Sequence, residues 1–151
     1  EPEFEVVAVV NDGRQLVAAA KELLPDAIVA DISMPSLNGI EAALQLRDAG
    51  VAAKVVFLTM HRDIAYARRA MASRGLENAD LIDQLHLPVS FLIGQTDSSP
   101  YISEPLIRGL SERVPTGSMT IMPGAGHAVF VDAPDEFNTE LGRFMASLPG
   151  R

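Results

Sequence analysis

A chain of 151 residues, 48% of them apolar and with a net charge of −8, has the length of one domain and the apolar mass for a packed core. It contains no cysteine, which excludes disulfides, thiolate metal sites and a cysteine nucleophile. Acids outnumber bases ten to eight in residues 1–75 and ten to four in residues 76–151; this argues against a nucleic-acid surface, which needs a basic face.

Residues 4–10 (FEVVAVV) are β-branched and apolar and predict a first strand. Leu16, Val17, Ala20, Leu23 and Leu24 follow helical spacing, and Pro25 stops that helix. Residues 27–31 (AIVAD) predict a buried strand. Asn38 and Glu41 have capping-box spacing ahead of Ile40, Ala43, Leu44 and Arg47, and Gly50 ends that helix. Residues 54–59 (KVVFLT) predict a third strand and 63–74 a third helix. Arg62, Arg68, Arg69 and Arg74 cluster there and read as a solvated helix face. A short helix is expected around residues 79–85. His61 and His86 stand alone and read as surface residues. Residues 88–94 (PVSFLIG) predict a fourth strand, and Leu106, Ile107, Leu110 and Val114 a helix with Pro105 in its first turn. Residues 117–123 (GSMTIMP) predict a fifth strand. Pro134 opens a last helix that buries Phe137, Leu141, Phe144, Met145 and Leu148.

Apolar strands alternating with helices predict an α/β fold. The expectation is a single three-layer domain over residues 1–151 with a mostly parallel five-stranded sheet, flavodoxin-like or Rossmann-like. Ligands of such sheets bind beyond the carboxyl ends of the strands. Asp31, Thr59, Asp97 and His127 all follow strand ends, so topology alone assigns them to one rim. No apolar run approaches the ~20 residues of a membrane span, and the acidic start lacks the basic stretch of a signal peptide. A soluble, cytoplasmic-type protein without a membrane partner is expected.

The run D-x-x-M-P-x-L-N-G (Asp31 to Gly39), with a later strand ending in Thr59, resembles the receiver domain of bacterial response regulators over about residues 5–71. The resemblance implies that Asp31 matches the phosphoacceptor and Thr59 the hydroxyl residue that contacts the phosphoryl group. Phosphoryl transfer to a carboxylate needs positive charge on the phosphoryl oxygens. In the family an acidic pair after the first strand holds a divalent cation, and a lysine follows the fifth. Here the sequence starts at the match to the family's second strand, so Glu1, Glu3 and Glu5 are not that pair. No lysine follows Lys54. Asp31 therefore reads as an inherited acid with at most weak Mg²⁺ binding.

A strand ending in G-x-x-D (Gly94 to Asp97), then P-G-A-G-H (Pro123 to His127) and "FVDAPDEF", resembles the C-terminal part of an α/β-hydrolase over about residues 81–148. The resemblance implies Asp97 as the triad acid and His127 as the general base. The family's serine stands in a G-x-S-x-G elbow. Ser33, Ser36, Ser98, Ser99 and Ser118 lack its glycines. Asp97 and His127 then read as relic positions with no nucleophile, and a metal site from Asp97, His127 and Asp31 is a weak idea.

The leading expectation is a chimeric α/β scaffold, engineered or recombined, without evolved catalytic function or cofactor. A receiver-like segment (1–75) meets a hydrolase-like segment (76–151). One alternative is a degenerate receiver acting as a signalling or binding module; another is a residual weak esterase. Two strand orders stay open: a hydrolase-like strand filling the slot of the receiver's first strand, or pairing in chain order. An empty slot would invite self-association or domain swapping.

Overall fold

The computed structural model describes residues 4–58, 79–95, 104–126 and 128–147. In chain order it contains α1 (Gly13–Leu23), β1 (Ala27–Asp31), α2 (Gly39–Asp48), β2 (Lys54–Leu58), a 3₁₀ turn (Ala79–Gln84), β3 (Val89–Gly94), α3 (Glu104–Arg113), β4 (Gly117–Met122), α4 (Val129–Asp132) and α5 (Pro134–Ala146). The strands form one parallel sheet in the order β1-β2-β3-β4. The α/β class and the parallel sheet are as expected, and pairing follows chain order. The expected helix over 63–74 lies outside the described residues.

The helices start and stop for local reasons. Asp12 caps α1, its Oδ1 accepting the Arg14 and Gln15 N–H groups at 2.9 Å. Ahead of Pro25, Leu24 takes a left-handed conformation with φ 48° and donates to the Ala20 carbonyl. The expected capping box is present: Asn38 Oδ1 accepts the Glu41 N–H at 2.8 Å and Glu41 Oε2 accepts the Asn38 N–H at 3.2 Å.

The sheet has four strands among the described residues, not five. Residues 4–10 form no strand, although their sequence is β-prone. A strand exists through its ladder, and β-branched side chains favour one only where a neighbour and a packed face are present. These residues have neither: Val6 is 76% exposed and Val9 85%. The outer edge of β1 is left open as well, since β1 pairs with β2 alone among the described strands. The order of the four described strands shows no reversal of the kind that marks flavodoxin-like and Rossmann-like sheets.

Strand order explains where the core lies. When strands advance in one direction through right-handed crossovers, every connecting helix falls on the same face. Accordingly Val17 and Ala20 of α1, Leu44 and Leu46 of α2, Ile82 of the 3₁₀ turn and Ile107 of α3 pack in one cluster with Ile28, Val55, Phe57, Val89, Phe91 and Ile93. The opposite face is left to α4 and α5, where Val56, Leu58, Leu92 and Met122 meet Val129 and Leu141. Val29 points to that second face but is 42% exposed, because the cover does not reach β1.

The two halves of the sequence meet at β2 and β3. Val55, Val56, Phe57 and Leu58 pair with Val89, Ser90, Phe91 and Leu92. Across the same seam Arg47 donates to the Gln84 carbonyl. Lys54 Nζ donates to the Met145 carbonyl at 2.5 Å, placing a cation at the C-terminal end of α5, where the helix dipole favours it.

Candidate functional site

All four strands run in parallel, so Asp31, Leu58, Gly94 and Met122 end them on one rim. Of the residues singled out in the sequence, Asp31 is described there. Thr59, Asp97 and His127 lie outside the described residues, as do His61 and the arginines 62, 68, 69 and 74. His86 is exposed, as expected.

Asp31 is half-buried at the end of β1, and its Oδ1 accepts the Ser33 N–H at 2.9 Å. The loop after it is fastened at several points. Ile32 N–H donates to the Leu58 carbonyl at 3.2 Å, Gly39 N–H to the Ile32 carbonyl at 3.0 Å, and Gly13 N–H to the Pro35 carbonyl at 3.4 Å. Ser36 holds φ at 65°, a left-handed conformation that costs a non-glycine residue about 1 kcal/mol or more. Gly39, the last residue of the D-x-x-M-P-x-L-N-G run, closes the loop against the strand. A Cβ there would crowd the Asp31 carbonyl oxygen and the Phe57 ring. The motif glycine thus has a packing reason of its own, independent of phosphoryl chemistry.

The second motif is built in the same way. After Met122, residues Pro123 and Gly124 turn, and Gly124 takes φ 73°. Gly124 N–H donates to Gln95 Oε1 at 3.3 Å, Gln95 N–H to the Met122 carbonyl at 3.0 Å, and Gly126 N–H to Asp132 Oδ2 at 2.9 Å. A Cβ on Gly94 would overlap the backbone oxygens of Ala125 and Gly126. Gly94, the first residue of G-x-x-D, lets the P-G-A-G turn cross the end of β3. Sequence reasoning missed Gln95 and Asp132 as the groups that hold this turn. Asp132 stands in "FVDAPDEF", so its position was visible but its role was not.

As a chemical site the described part of the rim is sparse. Among the described residues no group of three or more His, Asp or Glu converges as a metal cage. Away from the rim, Arg113 donates to both carboxylate oxygens of Asp83, at 2.8 and 2.7 Å. That hydrogen bond holds the Asp83 carboxyl below the usual carboxylate range.

Comparison with known proteins gives one answer from sequence and another from fold, and the two overlap along the chain. The response regulator receiver domain family matches residues 1–92, so the match crosses residue 75 and ends within β3. The chain is 41% identical over 71 residues to the transcriptional regulatory protein DegU of Brevibacillus brevis, covering 47% of this chain and 30% of that protein. It is 29% identical over 92 residues to the nitrate/nitrite response regulator protein NarL of Escherichia coli strain K12, covering 56% and 43%. The chain therefore spans less than half the length of these relatives. Similar solved structures are α/β hydrolases and esterases. MGS-MChE2, an α/β hydrolase from a lagoon-sediment metagenome, gives a TM-score of 0.59 at 16% identity over 89% of this chain and 68% of that one. Esterase RhEst1 from Rhodococcus sp. ECU1013 gives 0.59 at 17% identity over 92% and 74%. At such identity the likeness is one of fold.

Proposed function

The chain belongs to the response regulator receiver domain family, and on that premise we propose that it is a chimeric α/β scaffold without evolved catalysis. Strand–helix units of receiver kind are closed by units of hydrolase kind, and residues 1–151 act as one domain. The observation that carries this reading is the β2–β3 seam. β2 and β3, from either side of residue 75, pair in register there, and Phe57 and Phe91 are fully buried against each other. A joint of this kind makes a core; it does not make an active site.

On this reading Asp31 and Thr59 are inherited positions, and so are Asp97 and His127. Receiver chemistry places a lysine on the phosphoryl oxygens, and no lysine follows Lys54. Hydrolase chemistry needs a nucleophile, and the chain has no G-x-S-x-G elbow. The test has two arms. Beryllofluoride with Mg²⁺, a phosphoryl mimic, should leave the Asp31 and Ser33 amide resonances unmoved. Hydrolysis of activated esters should be no faster with the chain than with its His127→Ala variant. Ester turnover lost on His127→Ala would overturn the reading in favour of a residual esterase.

One observation favours a second reading, a degenerate receiver acting through its surface. The loop after Asp31 is pinned to α1 and β2 and holds Ser36 in a strained conformation, and held strain is a feature of switch loops. Amide shifts centred on Asp31, Ser33 and Ser36 with the phosphoryl mimic would support this reading over the scaffold.

A further inference from the structure

We propose that two copies of this chain form a closed pair in which residues 4–10 of each copy add as a strand to the β1 edge of the other. Two unmet needs in one chain carry the inference. The first is the β1 edge. The bonds from Lys54 N–H to the Asp26 carbonyl and from Ile32 N–H to the Leu58 carbonyl bracket the β1–β2 ladder. Parallel pairing alternates, so residues 26, 28, 30 and 32 face β2 while Ala27 and Val29 direct their backbone groups outward. The sequence AIVAD lacks the lysine, proline or bulge with which edge strands are normally blunted.

The second need is the segment FEVVAVV. It has strand composition, no ladder and a nearly bare surface, with Phe4, Val6, Val7 and Val9 all exposed. Of the nine large apolar residues exposed among the described residues, seven fall in the first 29 positions: these four with Leu23, Leu24 and Val29. Summed over these residues the exposed apolar surface is on the order of several hundred Å², against the ~800 Å² per partner of a standard interface, so backbone pairing along β1 must supply the rest of the contact. At the far edge of the sheet Met119 and Ile121 of β4 are partly covered, and Pro115 and Pro123 flank the strand. The exposed apolar residues are thus concentrated at the start of the sequence.

A second copy meets both needs at once. Each copy carries one strand to give and one edge to receive it, so a two-fold pair satisfies both copies and closes. The segment holds a single charge, Glu5, and β1 a single charge at its end, Asp31. The contact is therefore made of apolar side chains and backbone bonds, and it should depend little on salt.

The chain's lack of cysteine makes the test direct. Sedimentation of the 151-residue chain should give twice the chain mass at micromolar concentration, dissociating on dilution. Val29→Cys chains mixed with Val6→Cys, Val7→Cys or Val9→Cys chains should form an interchain disulfide on oxidation in at least one pairing. Val7→Lys with Val9→Lys should return a monomer with its helical circular dichroism intact. A chain monomeric at every concentration would overturn the proposal. So would open-ended aggregates, or a dimer in which none of the three mixtures cross-links.

Discussion

Phe57 of β2 and Phe91 of β3 stand in register with ring centroids 5.5 Å apart and planes tilted by 35°. Both rings lie within the receiver family match of residues 1–92, Phe91 also within the hydrolase-like segment, and neither is exposed to solvent. If the two segments fold as one unit, removing either ring destabilises both. Phe91→Ala should cost about 3–5 kcal/mol, the range for truncating a buried aromatic. Denaturant unfolding should show one transition whether followed by β1 or β4 amide resonances. Two separate midpoints would mean that the segments fold independently.

Two glycines should respond to alanine with opposite signs. Gly94 has no room for a Cβ, because the oxygens of Ala125 and Gly126 lie across it. Gly94→Ala must push the P-G-A-G turn away and should cost roughly 1–3 kcal/mol, as overpacking does. Gly109, inside α3, has nothing within 4 Å of its Cβ position. Gly109→Ala should stabilise the chain by about 0.5–1 kcal/mol through the helix-propensity difference. Thermal melts of the two variants check both signs.

The capping box at the start of α2 gives a smaller effect. Asn38→Ala removes the side-chain acceptor for the Glu41 N–H, while the backbone N–H of residue 38 that donates to Glu41 Oε2 is kept. The expected loss is about 0.5–2 kcal/mol. Asn38→Asp, which keeps an acceptor at the cap, should recover most of it in the same chemical-denaturation assay.

Much of this was legible in the sequence. Pro25, Gly50 and the Asn38/Glu41 spacing mark real helix ends, and the runs AIVAD, KVVFL, VSFLIG and GSMTIM are strands because each has a neighbour to bond. FEVVAVV reads like the others and is not a strand, because pairing is a property of the sheet rather than of the segment. The site was legible as two motifs, and Asp31 ends its strand as the run AIVAD implied. The glycines of those motifs, Gly39 and Gly94, turn out to be sites of close backbone approach. That role depends on what crosses above them, which spacing along the chain does not state.

The Asp83–Arg113 pair ties the 3₁₀ turn to α3 and gives a pH signature. Its hydrogen bond lowers the Asp83 carboxyl in the folded chain. A lowered folded value means that the pair's contribution is fully present above the unfolded carboxylate value of ~4. It is then lost as pH falls through the folded value. Asp83→Asn should therefore be slightly less stable than the parent at neutral pH, and the gap should close in acid. Because the pair is exposed, the gap should also shrink with salt. A difference that persists at low pH would mean that Asp83 acts through packing instead of charge.

Native-state hydrogen exchange across the four strands tests the central claim, that receiver-like and hydrolase-like segments share one core as one scaffold. Amides of β1 and β2 and those of β3 and β4 should share a common highest opening free energy, and Phe91→Ala should lower it by the same amount on both sides of the seam. Two distinct opening energies dividing between Leu58 and Val89, with the mutation felt on the β3–β4 side alone, would contradict it.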